Sequence, residues 1–389
     1  MMLPEGWRRT TVRDACAVKN YLRFPINMEQ RASMPGLYPY FGPTGILDYI
    51  DHYRIDEEFA VIGEDGDHFL KYRDKVMTLH FHGKANVNNH AHVIGDSEHC
   101  SPKWFYYWFM HRDLTPALSR QGVGRYKLTK KGLEELEIWL PPKTEQLHIA
   151  RILSTWDRAI ATAERLLANS RKQKEVLTIA LLTGRRRIAR HRDWTDTKLG
   201  NLIVESRILG SGGDVAKKIT VKLYGRGVVG KGEKRLGSES TQYYRRTAGQ
   251  FIYSKLDFLN GAFGIVPDHL DGYESTLDLP AFDFLPDVDP RWFLNYVSRE
   301  EFYLGHLGLA NGGRKARRVN PLDLLRVTIQ VPEIAEQRSI ADVLDVAQAE
   351  VNNFTSQLNR LREQKAALMA QLLTGKRRVR LSKEGPSPS

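Results

Sequence analysis

The feature that most constrains this chain is that it contains one stretch of sequence twice. Residues 140–188 read LPPKTEQLHIARILSTWDRAIATAERLLANSRKQKEVLTIALLTGRRRI, and residues 331–379 read VPEIAEQRSIADVLDVAQAEVNNFTSQLNRLREQKAALMAQLLTGKRRV. The two align without a gap at a constant shift of 191, with roughly a third of the positions identical. Glu145-Gln146 matches Glu336-Gln337, and Leu181 to Gly184 matches Leu372 to Gly375. A repeat of this length fixes the architecture before any local propensity is consulted.

Each copy opens on proline and closes on a glycine suited to a left-handed C-terminal cap, so each is expected to be one helix. Heptad seams run through both: Ile149, Leu153, Trp156, Ile160, Ala163, Leu167, Ser170, Lys174, Leu177 and Leu181, then Ile340, Leu344, Ala347, Val351, Phe354, Leu358, Leu361, Lys365, Leu368 and Leu372. A lone apolar stripe is ordinarily the core-facing side of a bundle helix. A repeated one can bury itself against its twin, and about 33 residues at 1.5 Å each give a rod of roughly 50 Å. The expectation is an intramolecular antiparallel coiled coil. The interface residues are Leu153, Ile160, Leu167, Leu177, Leu181, Leu344, Val351, Leu358, Leu368 and Leu372. Lys174 and Lys365 occupy one seam position, where a polar residue can fix register or snorkel at the edge.

The repeat divides the chain into residues 1–139, 140–190, 191–330 and 331–380, with 381–389 read as a disordered tail. The two non-repeated segments are each the size of a domain. Trp7 and Thr10 at the start of one recur as Trp194 and Thr197 in the other. Both read as mixed α/β. In the first, the Gly-Pro-Thr-Gly of LYPYFGPTGILDYID is a turn between strands, EEFAVIGEDG and KVMTLHFHGKANV continue the strand pattern, and SPKWFYYWFMHR is a buried helix. In the second, QFIYSKLDFLNGAFGIV supplies strands and DPRWFLNYVSREEFY the helix. The fold class is therefore α+β: two α/β domains, separated and followed by two long helices in an antiparallel pair, with pseudo-two-fold symmetry.

Charge narrows the partner. Lysine and arginine number 58 against 46 aspartates and glutamates, a formal net charge of +12, which favours a polyanion. Two cysteines, Cys16 and Cys100, argue for a reducing compartment, here the cytoplasm. No apolar run follows the N-terminal charges and none is long enough to span a bilayer, which disfavours secretion and a membrane partner.

Basic loops stand at corresponding places in the two domains, SRQGVGRYKLTKKGL in the first and NGGRKARRVNPLDL in the second. Glycine permits close backbone approach to phosphate, Lys and Arg neutralise it, and Arg, Gln and Asn can read base edges. One such loop alone is usually a solvated basic surface; two in equivalent places are harder to dismiss. The candidate DNA contacts are Tyr40, Thr44, Lys84, Asn86, Arg120, Gln121, Arg125 and Lys127 in the first domain. In the second they are Lys217, Arg226, Lys231, Arg245, Asn311, Arg314, Lys315 and Arg317, with Arg318 beside them.

Other signatures fail on their own terms. Gly225, Gly227 and Gly230 match a dinucleotide-site spacing and the start of a P-loop, but Gly232 stands where Ser or Thr is needed and no good helix follows. His80, His82, His90, His92 and Cys100 could be assembled into a zinc site, yet there is no CxxC pair and no HExxH, and strand and turn packing accounts for them better. No nucleophile elbow, base-extruding tetrapeptide or lysine-bearing acidic pair marks a catalytic centre. The chain reads as a reader with no metal, no catalytic residues and no cofactor of its own.

At the repeat, PPKTEQ…IARIL…LLTGRRR and VPEIAEQ…IADVL…LLTGKRR resemble the two conserved helical regions of the specificity subunit of type I restriction-modification systems. YPYFGPTGILDYID, VIGEDG and VNNHAHVI resemble one type of that family's target-recognition domain. The resemblance covers nearly the whole chain. It implies a non-catalytic subunit that binds double-stranded DNA at a bipartite, asymmetric site, one half-site per recognition domain, with the paired helices setting the gap. It also implies two methyltransferase subunits, which methylate an extruded adenine in each half-site with S-adenosylmethionine, and up to two motor-nuclease subunits using ATP and magnesium. Half-sites of about three to five base pairs with a gap of roughly five to eight follow from rod length and helical turn. The competing classes are a reader serving another multi-subunit defence system and a coiled-coil scaffold with no DNA role.

Overall fold

In the computed structural model the described residues are 3–120, 126–188, 193–232, 237–305, 310–311 and 318–379. The chain forms two compact units, residues 1–164 with 356–389 and residues 165–355. The boundary falls inside both long helices, Lys143–Leu182 and Ile334–Leu372, so each unit comprises one mixed α/β domain and a segment of each helix. At 40 and 39 residues the helices are each about 60 Å long, more than the seam alone suggested. Proline is compatible with the start of a helix, and the first helix begins directly behind Pro142 and the second two residues behind Pro332.

The first unit is built on a six-stranded sheet in the order Ala17–Val18, Ala91–Gly95, Ile55–Gly63, Thr78–Val87, Pro35–Phe41, Ile46–Ile50. Every pair is antiparallel except Pro35–Phe41 with Thr78–Val87. Strand Ile55–Gly63 is apolar on both faces, and the pleat divides its residues between two cores. Ala60 and Ile62 face Trp104, Phe105 and Trp108 of helix Pro102–Phe109, while Phe59 and Val61 pack with Phe41, Val87 and Val93.

The second unit has a four-stranded sheet, Ile203–Ser206, Ala281–Phe284, Phe251–Tyr253 and Phe263–Ile265 in that order, beside a three-stranded sheet and a hairpin. The same alternation sends Phe251 and Tyr253 toward Trp292 and Phe293 of helix Pro290–Val297, and Ile252 to the opposite core.

The repeated residues do the same work in both units. Gln146 closes the first helix onto its domain: its amide oxygen accepts from Ser101 N at 3.0 Å and its nitrogen donates to His99 O at 2.7 Å. Gln337 does likewise with Asp289 N at 2.9 Å and Asp287 O at 3.1 Å. Ser101 and Asp289 are the N-caps of the two aromatic domain helices, so one glutamine ties a cap to a rod in each case. Glu145 receives Arg378 at 2.8 and 2.9 Å and the Trp7 indole N–H at 3.2 Å. Glu336 receives Arg187 at 2.8 Å through both nitrogens and Trp194 at 3.1 Å. The Glu-Gln and Leu-Leu-Thr-Gly-basic signatures are therefore two ends of one contact. Gly184 and Gly375, at φ of 70° and 69°, turn the chain so that the arginine returns to the glutamate.

Helix pairing is antiparallel within each unit. In the first, Lys365 meets Asp157 at 2.5 Å and Arg362 meets Glu164 at 2.6 Å. In the second, Lys174 donates to Gln348 at 2.5 Å and Ser170 to Glu350 at 2.8 Å. Both seam lysines thus reach across to the partner helix, at equivalent positions. Among the interface residues Leu153, Leu167, Leu181, Leu344, Val351, Leu358 and Leu372 are buried, and Ile160, Leu177 and Leu368 are half-buried. The tail read as disordered lies outside the described residues.

Candidate nucleic-acid interface

Short paired strands precede the last turn of each domain. Ser119–Arg120 pairs with Tyr126–Lys127, and Ala310–Asn311 pairs with Arg318–Val319. Each stem is followed by a five-residue helix, Lys130–Glu134 or Pro321–Leu325, and then by the strand that enters the long helix. Those last strands, Glu137–Leu140 and Thr328–Val331, pair antiparallel with Arg8–Thr11 and Thr195–Lys198. The basic loops thereby spring from the same place in both domains. Gln121, Arg125, Arg314, Lys315 and Arg317 lie outside the described residues, and Asn311 is placed only as a strand residue.

In the first unit Thr44 is exposed at the tight turn between Pro35–Phe41 and Ile46–Ile50. Lys84 is exposed, its ammonium 4.6 Å from the Tyr53 ring centre, and Arg120 is exposed beside Tyr126. Lys127 is engaged within the protein, 3.0 Å from Glu64 and 3.7 Å from Asp65, rather than free for phosphate. Burial opposes ionisation of Glu64, yet the Lys127 and Arg23 cations overcome it and hold its carboxyl below the usual range. Tyr40 and Asn86 are corrections. They sit opposite one another in the parallel ladder and both are fully buried. The Tyr40 hydroxyl donates to Phe24 O at 2.6 Å, and Asn86 donates to His52 O at 2.7 Å, so both brace the sheet instead of meeting a ligand.

In the second unit Lys217, Arg226, Lys231 and Arg245 are all exposed. Arg226 stands in the turn of the hairpin Ile219–Val221/Val228–Gly230. The glycine spacing that mimics a nucleotide motif belongs to this turn: Gly225 and Gly227 take φ of 64° and 79°, and among the described residues the next element after the hairpin is a strand, Gln242–Arg245. Adjacent arginines divide their tasks. Arg245 faces solvent, whereas Arg246 is fully buried and donates to Ser275 Oγ, Ser206 O and Leu279 O at 2.7–3.1 Å, with burial lowering its pKa to about 10.

Sequence reasoning passed over several exposed groups suited to a polyanion. Arg54 lies 4.1 Å from the Phe24 ring centre, Tyr49 and Tyr53 are exposed close by in sequence, and Tyr224 is 72% exposed in the hairpin turn. Interleaved aromatic and basic residues in DYIDHYR were the available signal. Such surfaces can neutralise phosphates and stack on bases.

The histidine cluster resolves into separate contacts. His80 meets Glu58 at 2.8 Å, His90 meets Asp65 at 2.8 Å, and His92 bonds Leu128 O and Asn20. Among the described residues no group of histidine, cysteine and carboxylate side chains is placed to hold a metal ion, and no helix is long and apolar enough to cross a membrane.

Known proteins agree with this arrangement. Residues 4–169 match the type I restriction modification DNA specificity domain. A Haemophilus influenzae protein described as "Putative type I restriction enzyme specificity subunit" is 28% identical over 355 residues, covering 88% of this chain and 87% of its own length. The type I restriction enzyme MjaVIII specificity subunit of Methanocaldococcus jannaschii is 20% identical, covering 98% of this chain and 95% of that one. In fold, the chain is similar to the type I restriction-modification S subunit from M. genitalium, with a TM-score of 0.59 at 14% identity over 96% of this chain and 98% of that one. The likeness read from the repeat therefore extends along the molecule, and the chain is similar to the specificity subunits of type I restriction-modification systems.

Proposed function

We propose that this chain is the non-catalytic sequence reader of a type I restriction-modification complex acting in the cytoplasm, each domain reading one half of a bipartite, asymmetric duplex site. The observation that carries this is the repeated placement of the basic loops. Both spring from a two-residue stem ahead of a five-residue helix, and Arg120 and Asn311 are related by the same shift of 191 that relates the helices. The two loops differ in sequence, so the half-sites differ too. Arg120, Lys84 and Thr44 would serve the first half, and Arg226, Lys231, Lys217 and Arg245 the second. Cations on phosphate set register and affinity, and side chains on base edges contribute about 1–3 kcal/mol of discrimination each.

The long helices would fix the gap and offer a surface for two methyltransferase subunits, with motor-nuclease subunits joining them. S-adenosylmethionine, ATP and magnesium would be held by those partners. The test is to co-express the chain with its genomic methyltransferase neighbour and map methylated adenines across the host genome. A split motif with two unlike halves is expected. One contiguous palindrome, or no motif from an assembled complex, would refute the reading.

A further inference from the structure

The stem of the first basic loop is held by a half-buried ionic clamp built on Glu64. Glu64 directly follows strand Ile55–Gly63 with its side chain 13% exposed, and it accepts from Arg23 at 2.6 Å and from Lys127 at 3.0 Å. Arg23 is itself fixed, donating to Asn89 O at 2.8 Å. The backbone reinforces the clamp: Leu128 N donates to Glu64 O at 2.8 Å, Gly66 N donates to Tyr126 O at 3.2 Å, and Asp65 bridges to Lys127. His92, fully buried, donates from Nε2 to Leu128 O at 2.7 Å and accepts at Nδ1 from Asn20 at 2.9 Å, with Nε2 3.9 Å from the Glu64 carboxylate. The stem carrying Arg120 is thus tied to the sheet's central strand by a carboxylate. The second stem is tied differently: Tyr253 donates to Val319 O at 3.1 Å and Val319 N to Lys255 O at 2.9 Å, while its described ion pair, Arg318 with Asp278 at 3.1 Å, has side chains 53% and 64% exposed.

We infer that Glu64 is a positioning residue for sequence discrimination by the first domain, holding the stem through Lys127 and Arg23 so that Arg120 is presented at one fixed height. A loosely held reader tolerates wrong bases, because a side chain that can shift recovers part of its lost hydrogen bonding. A half-buried carboxylate between two cations holds more firmly than a fully solvated pair. This inference rests on the reading of the chain as a bipartite reader and assigns fidelity unequally to its halves.

The experiment uses the assembled methyltransferase complex with wild-type chain, Glu64→Gln, Lys127→Met, Lys127→Arg and Asp278→Asn, scored by methylome motif and by duplex binding across a salt series. A split wild-type motif establishes the underlying reading; its absence overturns that reading, not the clamp alone. With the motif in hand, Glu64→Gln and Lys127→Met should reduce discrimination in one half by ten-fold or more, leaving the other half and the salt slope unchanged. Lys127→Arg should retain discrimination, and Asp278→Asn should alter neither half. Unchanged discrimination in Glu64→Gln and Lys127→Met overturns the inference. So does a uniform affinity loss with a shallower salt slope in Lys127→Met, which would make Lys127 a phosphate contact. Should Glu64→Gln fail to assemble, the Lys127 pair decides alone.

Discussion

Removing Arg378 should expose how much the closing contact of the first unit holds. Glu145 is 3% exposed at its side chain and has two described partners besides bulk water, the guanidinium of Arg378 and the indole of Trp7. Arg378→Met keeps most of the aliphatic stem and deletes both charged hydrogen bonds, stranding a buried carboxylate with one neutral donor. Breaking a fully buried pair costs about 3–5 kcal/mol. Arg378 is 43% exposed, so solvent already screens part of the attraction, and about 2–3 kcal/mol is expected here. For a unit of this size that corresponds to a melting shift of roughly 5–10 °C. The second variant is decisive: Glu145→Gln with Arg378→Met leaves no buried charge, and glutamine can still accept from Trp7. The double variant should therefore be more stable than Arg378→Met alone. Thermal and urea unfolding, with hydrogen exchange to localise the change, measure both. If the double variant is the sum of the singles, the buried carboxylate is not what Arg378 protects, and the reasoning fails.

Gln348→Asp should stabilise the second unit by about 1 kcal/mol, because it gives Lys174 the carboxylate that Lys365 already has in Asp157, and a melting rise of a few degrees reads it. Arg245→Ala should weaken DNA binding with little change in stability, while Arg246→Ala should cost about 3 kcal/mol by emptying the space its buried side chain fills and taking a donor from Ser206 O, Leu279 O and Ser275 Oγ, of which the last two still hold each other; parallel melts and binding titrations separate them. Burial lowers the pKa of His68, His80 and His92, all in the first unit. The unfolded chain takes up protons near pH 6.5 that the folded unit refuses, so this unit should lose stability as pH falls from about 7 through 6.5, and recover it on return. Hydrogen exchange at pH 7.5 and 5.5 should show its core amides losing more protection than those of the second unit.

The repeat made the helices legible because a heptad seam survives in residue types, and the Glu-Gln pair marked where they begin. What the paired motifs do was not legible: Glu145 and Arg378 are 233 positions apart, and nothing local to either names the other. The site was read less well than the fold. Tyr40 and Asn86 looked available because tyrosine and asparagine often serve as ligand contacts, yet each falls near the end of its strand, where consecutive residues are buried on both faces. Arg245 and Arg246 are identical as letters, and only the pleat decides which goes inside. Lys127 was read as a phosphate contact because its acceptor, Glu64, lies just past a strand far back in the chain.

The first unit takes its closing helix segment from residues 356–379, although the rest of it ends at residue 164. Ribosomal synthesis delivers residues at about 5–20 per second, so the first domain must wait roughly 10–40 s, while some 190 residues are made, before its missing segment emerges. The second unit is contiguous and meets no such delay. The order of folding on the ribosome is therefore the reverse of the order of translation: the later half closes first, and the earlier half stands with Ile149 and Leu153 uncovered until the end of the chain arrives. A ribosome that stops after residue 355 leaves the second unit whole and the first without its final helix. Nascent chains stalled at successive lengths would display that inversion as protease resistance appearing first in the later sequence.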